Sequence, residues 1–165
     1  METEYIVYTD GADRHKDDFH IGAWCTYIKS TEDTRTFSGI VRNSKKFDVT
    51  NNRMELLAIV QAVRMCHEDS KITLYSDSEY SVGVLSGKKH AHVNTDLIKE
   101  YNKIVSDKKL HVHFEYIPRE QNDFVDHVMR YMLDHNKEAK EHGAIEEKLK
   151  INLGLYSGLF LYTIY

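Results

Sequence analysis

The sequence predicts one mixed α/β domain built on a five-stranded sheet, three antiparallel strands and then two parallel ones, with helices on both faces. Three observations carry this expectation. Five runs rich in β-branched and aromatic residues are separated by turn-length or helix-length connections. The first three runs follow one another directly, as in an antiparallel meander, whereas the later runs are reached through segments of helical periodicity, whose crossovers return the chain parallel. The length of 165 residues, with 41% hydrophobic and 11% aromatic content, suits one domain with a buried core, or one domain plus a tail.

Tyr5 to Asp10 form the first strand, whose last residue is a carboxylate, ending in a turn at Gly11. After a polar stretch with Asp13, Asp17 and Asp18, the runs Ile21 to Lys29 and Thr34 to Arg42 read as two strands joined by a turn at Ser30 to Asp33. The period then changes. With Asn51 or Asn52 as N-cap, Met54, Leu57, Ala58, Gln61, Ala62 and Met65 recur at three and four residues, a helix ending near Cys66 with Glu55 in its first turn. Lys71 to Ser76 make a fourth strand, delivering Asp77 at its end, and a short helical stretch covers Tyr80 to Leu85. Asn94 or Thr95 caps a helix through Leu97, Ile98, Tyr101, Ile104 and Val105. Leu110 to Ile117 are a fifth strand ended by Pro118, and from Gln121 the repeat Val125, Val128, Met129, Met132, Leu133 is helical, with a charged stretch that extends it towards Lys150. Residues 1–150 thus read as one domain and residues 151–165 as an apolar tail.

Composition excludes several classes. The chain has 22 Lys+Arg against 26 Asp+Glu, a net charge of -4, whereas a protein that holds nucleic acid by bulk charge is usually basic. Cys25 and Cys66 form neither a metal spacing nor a disulfide framework, which predicts a reducing, cytoplasmic setting. The acidic N-terminus is not a signal peptide, and no segment reaches the roughly 20 apolar residues of a membrane span.

Chemistry enters with the acids. Asp10 and Asp77 both close apolar strands, at the edge where α/β folds place their sites. Each alone has a bland reading, because Asp favours turns and Glu55 suits the first turn of any helix. The segments around them change the balance. Tyr8-Thr9-Asp10-Gly11, Phe37-Ser38-Gly39, Thr50-Asn51-Asn52-Arg53-Met54-Glu55-Leu56, Tyr75-Ser76-Asp77-Ser78-Glu79-Tyr80, Asn94-Thr95-Asp96-Leu97 and Asn122-Asp123-Phe124-Val125-Asp126 resemble, in order and spacing, the signature segments of type 1 ribonuclease H over about residues 5–134. The Thr50 to Leu56 segment is the most specific of them.

This resemblance implies an endonuclease that hydrolyses the RNA strand of RNA/DNA hybrids with two Mg²⁺ ions, Mn²⁺ being a possible substitute, and leaves 5′-phosphate and 3′-hydroxyl ends. It assigns the ligands to Asp10, Glu55, Asp77 and Asp126, with Asp126 chosen over Asp123 because the family places Asn four residues before its last ligand, here Asn122. All-oxygen donors suit Mg²⁺. The resemblance also assigns nucleic-acid contacts to Gly11, Ala12, Asn51, Asn52 and Ser76, the asparagines near the 2′-hydroxyls that mark RNA, and a DNA-phosphate pocket to Thr50 and Asn94. The alternatives are a non-catalytic hybrid-binding member of the fold and a DNA-directed nuclease or resolvase.

The sequence departs from the family in four places. An Arg often found two residues before the pocket Thr is Asp48 here. The basic, Trp-rich protrusion of many members is reduced to Gly87-Lys88-Lys89-His90-Ala91-His92, which predicts weaker hybrid affinity. The loop Tyr116 to Gln121 lacks the flexible His of many members, and His127 beside Asp126 is left outside the catalytic set. Leu153 to Tyr165 carry no charge and lie outside the resemblance; they read as a segment packed on the domain as an added strand, or as a surface for a protein partner or a second copy.

Overall fold

The structure is a computed structural model that describes residues 2–16, 19–46, 48–135 and 159–164. In chain order the elements are β1 (Glu4–Lys16), β2 (Phe19–Lys29), β3 (Thr34–Arg42), α1 (Asn51–Met65), β4 (Lys71–Ser76), α2 (Glu79–Leu85), α3 (Thr95–Lys108), β5 (His111–Tyr116), a 3₁₀ turn (Arg119–Gln121), α4 (Asp123–Asp134) and β6 (Leu159–Ile164). The sheet order is β5-β4-β1-β2-β3-β6. β1, β2 and β3 are antiparallel, while β4 runs parallel to β1 and β5 to β4, as the sequence predicts. The sixth strand comes from the tail and pairs parallel with β3, Thr36 opposite Leu159 through Val41 opposite Ile164. Its covering of an otherwise open edge matches the added-strand expectation.

Alternation along the strands splits the core in two. Val7, Trp24, Ile28 and Leu74 face α1, whose Leu56, Ile59 and Val63 are fully buried between the sheet and α3. On the other face, Ile21, Ala23, Cys25 and Ile40 meet Val125, Val128, Met129 and Met132 of α4. Among the described residues no helix is long and apolar enough to cross a membrane, and both cysteines are buried and free.

Several boundaries differ from expectation for identifiable reasons. β1 does not turn at Gly11 but runs on to Lys16, zipped to β2 from Ile6 opposite Lys29 to Lys16 opposite Phe19. Gly11 serves packing instead: a Cβ there would stand 2.3 Å from the Met54 carbonyl carbon and 2.5 Å from Glu55 N, so the absence of a side chain lets α1 lie directly on β1. The N-cap of α1 is Thr50, whose Oγ1 accepts from Arg53 N at 3.1 Å, so Asn51 and Asn52 are helical and Glu55 lies beyond the first turn. Asn94 holds the N-cap position of α3 in the left-handed region without a side-chain cap. α4 starts at Asp123 because residues 119–121 form a 3₁₀ turn; it is described to Asp134, and its expected continuation to Lys150 lies outside the described residues.

Candidate active site

Register builds the centre of the site. The parallel β1–β4 ladder ends with Thr9 opposite Ser76, so the next residues, Asp10 and Asp77, emerge side by side at its end. α1, in contact with β1 at Gly11, carries Glu55 to the same point. Carboxylate oxygens of Asp10, Glu55 and Asp77 lie within 4.8 Å of one another. Asp10 and Glu55 are buried, and Asp10 Oδ1 accepts from Gly11 N at 2.9 Å.

Crowded acids cannot all keep their charge. Burial first, then the charges of Asp77 and Asp126, pushes Asp10 up to about 7. Glu55 is driven well above the carboxylate range by burial and then by Asp10 and Asp77. Burial also raises Asp77, with Arg119 the largest opposing influence and a hydrogen bond from Asn122 another. Glu55 Oε2 is buried with no hydrogen-bond partner. An orphaned oxygen, mutually repelling carboxylates and a donor set of oxygen alone fit a hard divalent cation, whose charge would restore all three to the ionised form.

Asp126 borders the cluster without joining it. Its Oδ2 accepts from Arg130 Nε at 2.9 Å, one helical turn on. It nevertheless lines, with Asp10, Asn51, Arg119 and Arg130, a polar cavity of about 210 Å³. Asp123 instead lines a separate cavity of about 260 Å³ with Tyr8, Tyr27 and Phe124. Of these two acids, Asp126 shares a cavity with Asp10 and Asp123 does not.

The residues assigned to nucleic acid divide. Gly11, Ala12 and Asn51 line the same cavity as Asp10, with Asn51 Oδ1 accepting from Asp13 N at 3.0 Å, and Asn52 is exposed beside them. Thr50 and Asn94 flank Arg53: Asn94 Oδ1 accepts from Arg53 Nη1 at 3.4 Å, while the guanidinium forks onto Asp96 at 2.9 and 2.6 Å. Ser76 is fully buried, its Oγ accepting from Ser78 N at 3.0 Å, so its side chain is not on the surface. Asn122, only a spacing marker in the sequence, is structural: 1% exposed, it donates from Nδ2 to Thr9 O at 2.8 Å and ties the start of α4 to the strand that carries Asp10. Arg119 makes no sequence signal either, since an Arg in a short loop forms no pattern.

The family model described as RNase H matches residues 2–133 of this chain. The chain belongs to the RNase H family. A Ribonuclease H of Caldicellulosiruptor saccharolyticus is 35% identical over 85 residues, covering 50% of this chain and 52% of that protein, so the chain spans about half the length of this relative. The Ribonuclease HI of Campylobacter jejuni is 31% identical over 116 residues, 63% of this chain and 72% of that protein. Among solved structures, LC11-RNase H1 in complex with an RNA/DNA hybrid superposes with a TM-score of 0.61 at 21% identity, covering 74% of this chain and 91% of that one, a likeness of fold. The RNase H relationship is thus to type 1 members, and the acids and asparagines described above fall inside the matched span.

Proposed function

We propose that this RNase H chain hydrolyses the RNA strand of RNA/DNA hybrids, with two Mg²⁺ ions held by Asp10, Glu55, Asp77 and Asp126, Mn²⁺ an acceptable substitute, leaving 5′-phosphate and 3′-hydroxyl ends. The observation that carries the reading is the convergence of three carboxylates from three different elements within 4.8 Å, one of them with a buried oxygen lacking any partner. A fold stabilised only by packing gains nothing from such an arrangement, because burying unpaired acids costs stability. When bound, divalent cations supply the charge that activates water and stabilises a leaving oxygen. The chain's own residues do the rest. Asp10 and Asp77 are held at fixed separation by strand register and by Asn122, and Glu55 by the α1–β1 contact at Gly11. Asn51 lines the cavity and its exposed neighbour Asn52 follows it on α1, and both amides are assigned to the RNA strand near the 2′-hydroxyls that separate RNA from DNA. Thr50 and Asn94, which flank Arg53, are assigned to a DNA-strand phosphate. A relative solved with an RNA/DNA hybrid supports the choice of substrate, and two free cysteines support a cytoplasmic setting.

The test is incubation with Mg²⁺ and separately labelled RNA/DNA hybrid, duplex RNA and duplex DNA. Cleavage of the RNA strand of the hybrid alone, abolished by Asp10→Asn, is expected. Binding without cleavage makes the chain a hybrid-binding module, and cleavage of duplex DNA makes it a DNA-directed nuclease; either overturns the proposal.

A further inference from the structure

The two edges of the sheet are finished differently. β6 covers the outer side of β3, whereas among the described residues nothing pairs with the outer side of β5. His111 N donates to Ser70 O and Ile117 N to Ser76 O, both at 2.9 Å. In a parallel ladder such donors fall on alternate residues, so His111, His113, Glu115 and Ile117 face β4, and the N–H and C=O groups of Val112, Phe114 and Tyr116 point outward. Every residue of β5 is exposed or half-buried, Tyr116 at 51%.

The side chains of this edge are sorted by face. Val112 and Phe114 lie on one side, along a groove of about 1030 Å³ whose walls include Val82 and Leu85 of α2 and Tyr101 and Val105 of α3. The Phe114 ring stands 6.1 Å from that of Tyr101. His111, His113 and Glu115 alternate with them and take the opposite face, where His113 Nε2 and Glu115 Oε1 are 2.6 Å apart. An imidazole and a carboxylate thus sit on either side of Phe114. Under a two-fold rotation about Phe114, an antiparallel copy of the strand sets Phe114 opposite itself, Val112 opposite Tyr116, and His113 opposite Glu115 twice over.

We propose that the outer edge of β5 pairs antiparallel with the same edge of a second copy of this chain, centred on Phe114. In that register Val112, Phe114 and Tyr116 all find partners, each opposed pair exchanging two N–H···O bonds. Both imidazoles face carboxylates across the new ladder, whereas a shift that brings Glu115 opposite Glu115 opposes like charges. The apolar side chains of the two copies meet on the groove side. Because β6 closes the other edge, each chain has one open edge, and pairing stops at a two-fold dimer instead of growing into a filament. β5 runs parallel to β4, and Asp77 follows the C-terminal end of β4, so antiparallel pairing turns the two acid clusters to opposite ends of the joined sheet. The interface is one of assembly and is independent of the nuclease reading.

Sedimentation equilibrium of the full chain, from low micromolar to near-millimolar concentration, compares the parent with Glu115→Lys and His113→Glu, with melting temperatures recorded alongside. The parent passes from one chain to two within that range, as an interface at the small end of the usual sizes does. Glu115→Lys sets a lysine opposite His113, and His113→Glu sets a glutamate opposite Glu115, so each alone weakens dimerisation about tenfold while the chain still melts cooperatively. Mixed in equal amounts, the two variants form a heterodimer about as tight as the parent dimer, because every opposed pair then sets a carboxylate against a basic side chain. Tyr116→Pro removes an outward N–H and no bond to β4, and it too abolishes the dimer. A parent that stays a single chain throughout overturns the assignment. A dimer that these substitutions leave intact overturns it as well, as does a weakened dimer that mixing fails to restore.

Discussion

Asp10 is the residue whose environment conflicts most with its chemistry. It titrates at about 7 when folded, against 3.8 for an unperturbed aspartate. Between those values the folded state holds the proton that the unfolded chain has released, so in chelator the protein loses stability as pH rises from about 4 to about 7. Asp10→Asn removes a charge that the fold cannot solvate. With EDTA at pH 8 it is expected to raise the melting temperature by on the order of 5 °C, a gap that closes towards pH 4, while hybrid cleavage in Mg²⁺ drops by about three orders of magnitude. Thermal melts across pH, run beside the cleavage assay, check both signs together; a variant less stable than the parent at pH 8 would contradict the crowding argument. The choice between neighbouring acids belongs to the same scale. Asp126→Asn is expected to abolish cleavage and Asp123→Asn to leave it within about threefold, since Asp123 lines the aromatic cavity and not the one shared with Asp10.

At the scale of elements, the site depends on α1 lying directly against β1. Gly11→Ala places a methyl against the backbone of Met54 and Glu55, atoms that cannot turn aside as a side chain can. The expected loss is about 3 kcal/mol in urea unfolding, with cleavage falling further than stability because Glu55 is displaced from Asp10. Glycine here was legible as a glycine but not as this glycine: in sequence Thr9-Asp10-Gly11 reads as a strand closing in a turn, and only the length of the β1–β2 ladder shows that the strand continues. The strands and helices themselves were legible because each carries its own period. Motif spacing singled out Asp10, Glu55, Asp77 and Asp126 through resemblance, but not the convergence of the first three, which depends on Thr9 meeting Ser76 across a ladder of residues 67 apart in sequence. Thr50 takes the cap from Asn51 and Asn52 because its hydroxyl makes the same bond one residue earlier, a difference below what capping preferences resolve. Asn122 and Arg119 escaped because their roles are tertiary, one bonding to β1 and the other standing over a cavity wall.

For the whole molecule, the net charge of -4 and the apolar tail acquire separate explanations. Setting Asp10, Glu55, Asp77 and Asp126 aside leaves 22 residues of each sign, so the negative excess equals the proposed ligand set, and hybrid binding is expected to be weak in chelator and to strengthen with divalent metal. The tail acts at the opposite edge. β6 pairs with β3, and β2 separates β3 from the strand that carries Asp10, so its contribution falls on the sheet rather than on the chemistry. Removing it leaves the outer N–H and C=O groups of β3 facing water along Thr36 to Val41, an open edge onto which a second chain can add. Truncation after Lys150 is therefore expected to lower the melting temperature by several degrees, at about 2–4 °C per kcal/mol for a chain of this size, and to promote concentration-dependent aggregation, while cleavage per folded molecule stays unchanged. Melting curves and sedimentation of the two forms at matched concentration decide the matter. If the truncated protein melts at the same temperature but loses a dimer or a partner that the full chain holds, the strand works between molecules, because pairing within one chain cannot be removed without cost to that chain's own fold.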